Sequence, residues 1–431
     1  MLAIVTFGVA KMEQLALENK PKLGILLFPF VIALVILHDF LFLNMEYLYG
    51  STFGLNLWKE VIAGGYLFVV SLKMIVRGSV SKVKVRLILF SLFLLIFLLF
   101  GGVFNEAAFR SLRALFTPFV LAVMVAQFVS GNYQKRYRLF VISLQCTGFA
   151  VAIYGLYQLL YYSKWADFWY VEPLTSMGFE LKEFNAIRDG RPRISSFFTS
   201  SLEFAFFIVF IFFLNYGRLL FMSRNASYAV MLGKFFFLIL LVFLLFNSTV
   251  RSAQICWLAG MVFSAFIIFI KTRLFRYCSG LSLMIFLCLS TFFYIGMGYT
   301  DDLSAIGRLV QWHFVFDQLR ATPFGLGFSV IGPGQLYWFD SLWLNMLAIF
   351  GFMSIIVFGV FLYWYKLLAY GYSEVEMYRR PALQSLCYTM LILCPVFMYA
   401  AFFQAFYNST VFYIYLIMMF CAIFEVKNVH S

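Results

Sequence analysis

The chain alternates long apolar runs with short polar punctuation. A bilayer core roughly 30 Å thick needs about 20 apolar residues per helix. About twelve runs reach that length, at 23–45, 58–76, 86–104, 112–130, 139–161, 196–216, 232–248, 252–270, 281–299, 340–365, 384–403 and 405–424. The runs that meet near residues 247–251 and at Gln404 lie so close that each junction is either a tight hairpin or a broken helix.

Two segments, 162–195 and 300–339, break this pattern of short connections. Long ordered loops usually carry function. In the second, residues 304–319 are expected to be helical. Leu309, Trp312, Phe316 and Leu319 recur at steps of three and four, which gives one apolar face. Such a helix lies along the membrane–water boundary. Asp301 or Asp302 would cap it, and Thr322 and Pro323 would end it. Gly325, Gly327, Gly332 and Gly334 follow, and glycines let backbone approach a ligand closely.

Composition narrows the class. Of 431 residues, 64% are hydrophobic and 12% charged, about half the charge of a soluble domain. Soluble, coiled-coil, collagen-like, disordered and disulfide-scaffold readings are excluded. The expectation is one all-α, multi-span membrane domain over 1–431.

Charge placement sets orientation, because cytoplasmic loops retain Lys and Arg. With the N-terminus inside, Arg77, Lys82, Lys84 and Arg86 fall on one inside loop, and Lys135, Arg136 and Arg138 on the next. Arg218, Arg224, Lys234, Lys271, Arg273, Arg276, Lys366, Arg379 and Arg380 follow the same rule. Both ends are then cytoplasmic and both long loops periplasmic. The net charge of +13 reports topology, so no nucleic-acid partner is expected. Residues 1–20 lack a basic leader and a small-residue cleavage site, so a signal peptide is not expected. Residues 1–10 are too few to span and would lie on the membrane surface. The seven cysteines have no C-x-x-C spacing and read as buried apolar residues.

The chemistry should sit where residues break these rules. Arg188, Arg191 and Arg193 close the first long loop on the side where basic residues are scarce. The planar guanidinium fork suits phosphate oxygens. Trp165, Trp169 and Tyr170 in that loop suit either sugar stacking or an interfacial aromatic belt. Glu203 lies a turn inside the following span and needs a partner or a hydrated cavity; pairing with one of the arginines is the plain expectation. Arg251 stands between two spans beside Asn247, Ser248 and Thr249. Arg308 lies one turn from Trp312, so guanidinium and indole can meet one ligand.

Asp340 heads the next span. It reads equally as a general base at the membrane boundary or as a helix N-cap. Asp39, beside His38 inside the first span, would relay protons or pair with an arginine, and pairing is favoured. Asp301 and Asp302 lack the D-x-D spacing of a metal-dependent transferase. His313 has no evident partner and reads as structural. The short inside loops hold no glycine-rich phosphate motif, so an enzyme here would act on a lipid-linked or exported substrate without ATP or a nucleotide sugar.

Three stretches in order resemble the bacterial O-antigen ligase and polymerase superfamily. They are R-x-S-S-F from Arg193 to Phe197, S-T-V-R-S from Ser248 to Ser252, and Gly307, Arg308 and Trp312 followed by P-F-G-L-G-F at Pro323–Phe328. An acid and a small polar residue, Asp340 and Ser341, then head a span that contains Gly351. The likeness covers about residues 190–365. Two departures stand out. The N-P-N-like turn of many relatives is replaced here by Thr199, Ser200, Ser201, Leu202 and Glu203. The ligases usually carry His where this chain has Asp340, which is more like the polymerases.

The resemblance implies an inner-membrane glycosyltransferase of C-type character. Its donor would be an oligosaccharide on undecaprenyl pyrophosphate and its acceptor another lipid-linked repeat. Asp340 and Arg308 would be catalytic. Arg193, Arg251, Arg191, Glu203 and Trp312 would bind substrate and pyrophosphate. No metal or cofactor is expected, and a chain-length regulator is a possible partner. The alternatives are a ligase acting on lipid A–core and a flippase for lipid-linked oligosaccharide.

Overall fold

A computed structural model describes residues 22–52, 54–77, 106–130, 136, 138–161, 187–188, 191–198, 200–222, 227–270, 272–297, 303–328, 330–331, 337, 339–377, 381–406 and 409–430. The expected span at 86–104, the surface segment at 1–10, the aromatic residues Trp165, Trp169 and Tyr170, and Asp301 and Asp302 lie outside these residues.

The described chain is helical apart from one two-residue hairpin. The helices are α1 (Lys22–Tyr49), α2 (Trp58–Arg77), α3 (Glu106–Ser130), α4 (Arg138–Leu160), α5 (Ser201–Leu220), α6 (Tyr228–Asn247) and α7 (Arg251–Phe269). They continue as α8 (Arg273–Gly296), α9 (Leu303–Ala321), α10 (Leu342–Phe350), α11 (Ser354–Met377), α12 (Pro381–Phe403) and α13 (Thr410–His430). The hairpin pairs β1 (Ile187–Arg188) with β2 (Arg191–Pro192) in antiparallel register. Among the described residues, eight helical stretches are long and apolar enough to cross a membrane. The protein is a multi-pass membrane protein.

The packing follows from which helices are apolar all round. Helices α5, α12 and α13 have no polar face, and such helices belong inside a bundle. Helix α12 is enclosed by α5, α7, α8, α11 and α13, and α13 makes its widest contact with α3. Helices α6 and α8 leave Phe235, Phe236, Phe243, Phe286 and Leu289 on the outside. Lipid is as apolar as these side chains, so helix association rests on close packing rather than on escape from water. Aromatic stacking supplies part of it. The Phe397 ring lies 4.0 Å from Tyr415 and 4.6 Å from Phe406, and such pairs are worth about 0.5–1.5 kcal/mol each.

Both close junctions are hairpins. Helix α6 turns into α7 through Ser248, Thr249 and Val250, with Thr249 at φ 58°. Helix α12 gives way to α13 across residues 404–409.

The expected straight span at 340–365 is instead two helices meeting at Gly351. Trp343 on α10 lies 5.1 Å from Phe358 and 5.4 Å from Phe361 on α11, ring centre to ring centre. A straight helix would separate those residues by more than 20 Å at about 1.5 Å per residue. Gly351, at φ 59°, makes the reversal. The glycine loop after α9 docks on this bend. Leu326 and Gly327 donate N–H groups to the carbonyls of Ala348 (2.7 Å) and Ile349 (3.1 Å), and Phe352 donates to Pro323 (3.0 Å). A Cβ on Gly325 or Gly351 would strike the facing backbone. The glycines of P-F-G-L-G-F therefore serve backbone–backbone docking.

Candidate functional site

The residues singled out in the sequence gather at one end of the bundle, in two groups. The first is built by α9, the head of α10, the α6–α7 turn and the end of α12. Helix α9 spans Leu303–Ala321, close to expectation. Its buried line is Val315 and Leu319, with Trp312 packed beside it, whereas Phe316 faces outward. Trp312 stacks on Phe402 at 5.6 Å and meets Phe292 edge-on at 5.8 Å. Its indole N–H is shielded and meets no acceptor among the described residues. Arg308 stands one turn earlier, half-buried and within electrostatic reach of Tyr399.

Asp340 is exposed and is not the N-cap of α10. Ser341 caps that helix, its Oγ accepting the Leu344 N–H at 3.1 Å. Gln311, which lies between Arg308 and Trp312 on α9, holds Asp340 instead. Its Oε1 accepts the Asp340 backbone N–H at 3.0 Å, and its Nε2 donates to Asp340 Oδ2 at 3.4 Å. The carboxylate thus stands beside the helix that carries Arg308 and Trp312.

Gln404 ties in the Arg251 turn. Its Nε2 donates to Ser252 Oγ at 2.8 Å, and its carbonyl accepts the Leu342 N–H at 3.0 Å. Ser341 Oγ and Trp343 Nε1 donate to the carbonyls of Ala401 and Met398 on α12, each at 3.0 Å. Arg251, the first residue of α7, is exposed. Thr249 Oγ1 beside it is shielded and has no partner among the described residues.

The second group forms around α1, α2, α3, α5 and α13. Arg193 is half-buried in the turn before α5. Gln158 on α4 fixes that turn, its Oε1 accepting the N–H groups of Ser195 (3.0 Å) and Ser196 (2.7 Å). Ser196, at φ 53°, donates its hydroxyl to Val151 at 2.8 Å. Phe197 stacks on Tyr154 at 4.1 Å. Arg191 lies in β2, paired with Arg188 across the hairpin, and its side chain is outside the described part.

Glu203 occupies the third position of α5 and donates its backbone N–H to the N-cap Ser200 Oγ at 3.2 Å. A carboxylate there suits the positive end of the helix dipole. The expected arginine partner is replaced by others. The Thr410 backbone N–H donates to the Glu203 carboxyl, and Lys59 and Asp39 lie within electrostatic reach of it. Asp39 likewise faces Lys59 rather than an arginine. Lys59 is buried, its Nζ 4.7 Å above the Tyr413 ring. Next to it, Arg113 Nε lies 3.3 Å from Glu60 Oε1. His313 also has a partner, Asp317 one turn along α9, at 3.3 Å.

Sequence reading missed Lys59, Glu60, Arg113 and the three clamping glutamines. The first three were detectable, because charges at or inside apolar runs demand partners. The glutamines carried no such signal, since a neutral amide at a span end is unremarkable until its partner is known.

These contacts fix relative direction. The starts of α2, α3, α5, α7, α10 and α13 and the end of α12 all lie at the same end of the bundle. Comparison with known proteins finds no matching family model and no similar curated protein.

Proposed function

We propose that the chain is a polysaccharide polymerase of the O-antigen ligase and polymerase kind, acting at the outer face of a bacterial inner membrane. In this reading twelve spans place both termini in the cytoplasm, and the shared end of the bundle faces the periplasm. The observation that carries it is the clamp between Gln311 and Asp340. It sets an exposed carboxylate beside the helix bearing Arg308 and Trp312.

The chemistry follows from that pairing. Asp340 accepts the proton of the acceptor sugar hydroxyl. The oxygen attacks the anomeric carbon of the donor from the face opposite the leaving group. A new C–O bond forms as the bond to undecaprenyl pyrophosphate breaks, and the configuration inverts. The electron pair leaves on the pyrophosphate, where Arg308 and Arg251 neutralise it and Arg193 anchors the lipid-linked donor. Asp340 then releases its proton to solvent. Cations fixed in advance at a developing charge commonly supply several kcal/mol. Trp312, packed against Phe402 and Phe292, holds this stretch of α9 and with it Arg308 in place beside the sugar. Glu203 and Arg191 stand on the donor side of this arrangement.

A second reading has one observation in its favour. Asp39, Lys59, Glu60, Arg113 and Glu203 converge from four helices, and charged residues shared among spans are what a lipid-linked oligosaccharide flippase requires. One experiment separates the readings. Surface polysaccharide is resolved on a gel from cells lacking the gene and complemented with wild type or Asp340→Asn. A single-repeat product without the gene, a full ladder with wild type and none with a normally expressed mutant support the polymerase. Long lipid-linked chains that fail to reach lipid A–core support a ligase, and absence of all periplasmic repeats supports the flippase. A full ladder with Asp340→Asn removes Asp340 as the base.

A further inference from the structure

We propose that the end of the bundle opposite the candidate site binds one anionic phospholipid, whose phosphate is held by Lys234 and Arg218 at the mouth of the seam between α5 and α6. This inference does not depend on the polymerase reading.

Lys234 differs from the basic residues that mark orientation, because it stands inside a helix rather than in a loop. It lies roughly 9 Å along α6 from Tyr228, at about 1.5 Å per residue. Leu238, Leu241 and Leu245 follow it at steps of four, three and four, and all three are buried. Lys234 therefore heads the inward face of α6 rather than its lipid face. Its amine reaches the end of α5. Among the described residues it meets one acceptor there, Met222 Sδ at 3.6 Å. A thioether is a weak acceptor, and an ammonium at the head of an apolar seam calls for a stronger one.

Arg218 stands one turn before Met222, half-buried in the last turn of α5. Gln145 on α4 accepts an N–H of its guanidinium through Oε1 and donates to Asn215 Oδ1 at 2.5 Å. Asn215 in turn donates to the Ile211 carbonyl at 2.8 Å. These amides aim the guanidinium without neutralising it. Acids are absent from the surrounding sequence. Helix α6 packs on α4, α5 and α7. Residues 107–166 and 204–300 contain no Asp or Glu, so Glu203 is the one acid in these four helices. It lies at the other end of α5, more than about 20 Å from Arg218 along the helix.

Two neighbouring cations without a carboxylate suit one phosphate, whose oxygens accept from ammonium and guanidinium alike. The surface beside them says what the phosphate is attached to. Phe235, Phe236, Ile239 and Phe243 are exposed on the outer face of α6, where acyl chains pack. A charged head at the seam and apolar chains along that face describe an anionic phospholipid, and basic pockets between spans are where such headgroups bind. In the orientation proposed above, this end faces the cytoplasm.

Native mass spectrometry of the full-length protein, titrated in detergent with dioleoyl phosphatidylglycerol or dioleoyl phosphatidylcholine, tests the site. The protein should hold one phosphatidylglycerol about tenfold or more tightly than phosphatidylcholine. Lys234→Met should weaken phosphatidylglycerol by about fivefold or more and leave phosphatidylcholine unchanged. Lys366→Met, which removes a charge from α11, should change neither. Equal affinity of the wild type for both lipids overturns the site, as does an equal loss in the two variants. Displacement of the lipid by glycerol phosphate would make this a free-phosphate site and overturn the lipid assignment. If Lys234→Met fails to fold, the wild type in nanodiscs still decides the matter with a photoreactive phosphatidylglycerol. Cross-links in peptides covering 138–150 or 218–240 are expected, and cross-links confined to other helices overturn the site.

Discussion

Gln311 holds Asp340 at two points, taking its backbone N–H with one side-chain atom and reaching its carboxylate with the other, at 3.0 and 3.4 Å. The two residues come from different elements, and the amide fixes the carboxylate without neutralising it. Removing the amide should therefore impair activity less than removing the carboxylate. Asp340→Asn is expected to lower kcat by about 10²–10⁴-fold, the usual contribution of a general base. Gln311→Leu is expected to lower it by up to about 10²-fold through misplacement. Both are read from repeat-unit transfer by the purified protein.

Arg251 and Arg308 are assigned to the pyrophosphate in the proposed reaction. Lysine keeps the charge but loses the planar fork of donors. Arg308→Lys and Arg251→Lys should each reduce kcat/KM by about 10²–10³-fold, the scale of losing one oxyanion donor. Activity near wild type in both lysine variants would count against bidentate contact.

The bend at Gly351 yields a prediction about stability. Gly325 and Gly351 hold φ of 84° and 59°, and a Cβ on either meets backbone rather than a yielding side chain. Gly351→Ala should destabilise the protein by about 1–3 kcal/mol or more. Gly307 in α9 has open space around its Cα, so Gly307→Ala should stabilise that helix by up to about 1 kcal/mol. Thermal denaturation in detergent compares the two.

Gln158 accepts two successive N–H groups in the buried turn that presents Arg193. Gln158→Met keeps the volume and removes the acceptor. Each orphaned N–H costs about 1–3 kcal/mol. The variant should melt at lower temperature, and its residual activity should show a raised KM for the lipid-linked donor, because the Arg193 turn is freed. A lowered melting temperature with unchanged KM would limit Gln158 to a structural role.

Apolar run length was enough to recognise a multi-pass helical protein, because a bilayer imposes one length on every span. It also located the two close junctions, leaving open whether each was a hairpin or a broken helix, and the three-and-four spacing of apolar residues located α9. It misread 340–365 as straight, because run length is blind to a reversal made by one glycine. It placed Phe316 on the buried face of α9 because Phe and Val315 are equally apolar, and only the neighbouring helices decide which points inward. The arginines and Asp340 stood out as exceptions to a charge rule. Lys59 and Arg113 lie inside the apolar runs 58–76 and 112–130 and were passed over, although a charge in such a run demands a partner.

Sequence alone determined the solvent of this protein, the length of its helices and the short set of residues too polar for their surroundings. Those are local properties, set by the cost of exposing polar groups to lipid. The tertiary structure decided the partnerships: Gln311 with Asp340, Gln404 with Ser252, Gln158 with the Arg193 turn, Arg113 with Glu60 and Lys59 with the Tyr413 ring. Hydrogen bonds and ion pairs act only over a few ångströms. Which groups come that close depends on how helices distant in sequence cross, and apolar patterning does not encode the crossing.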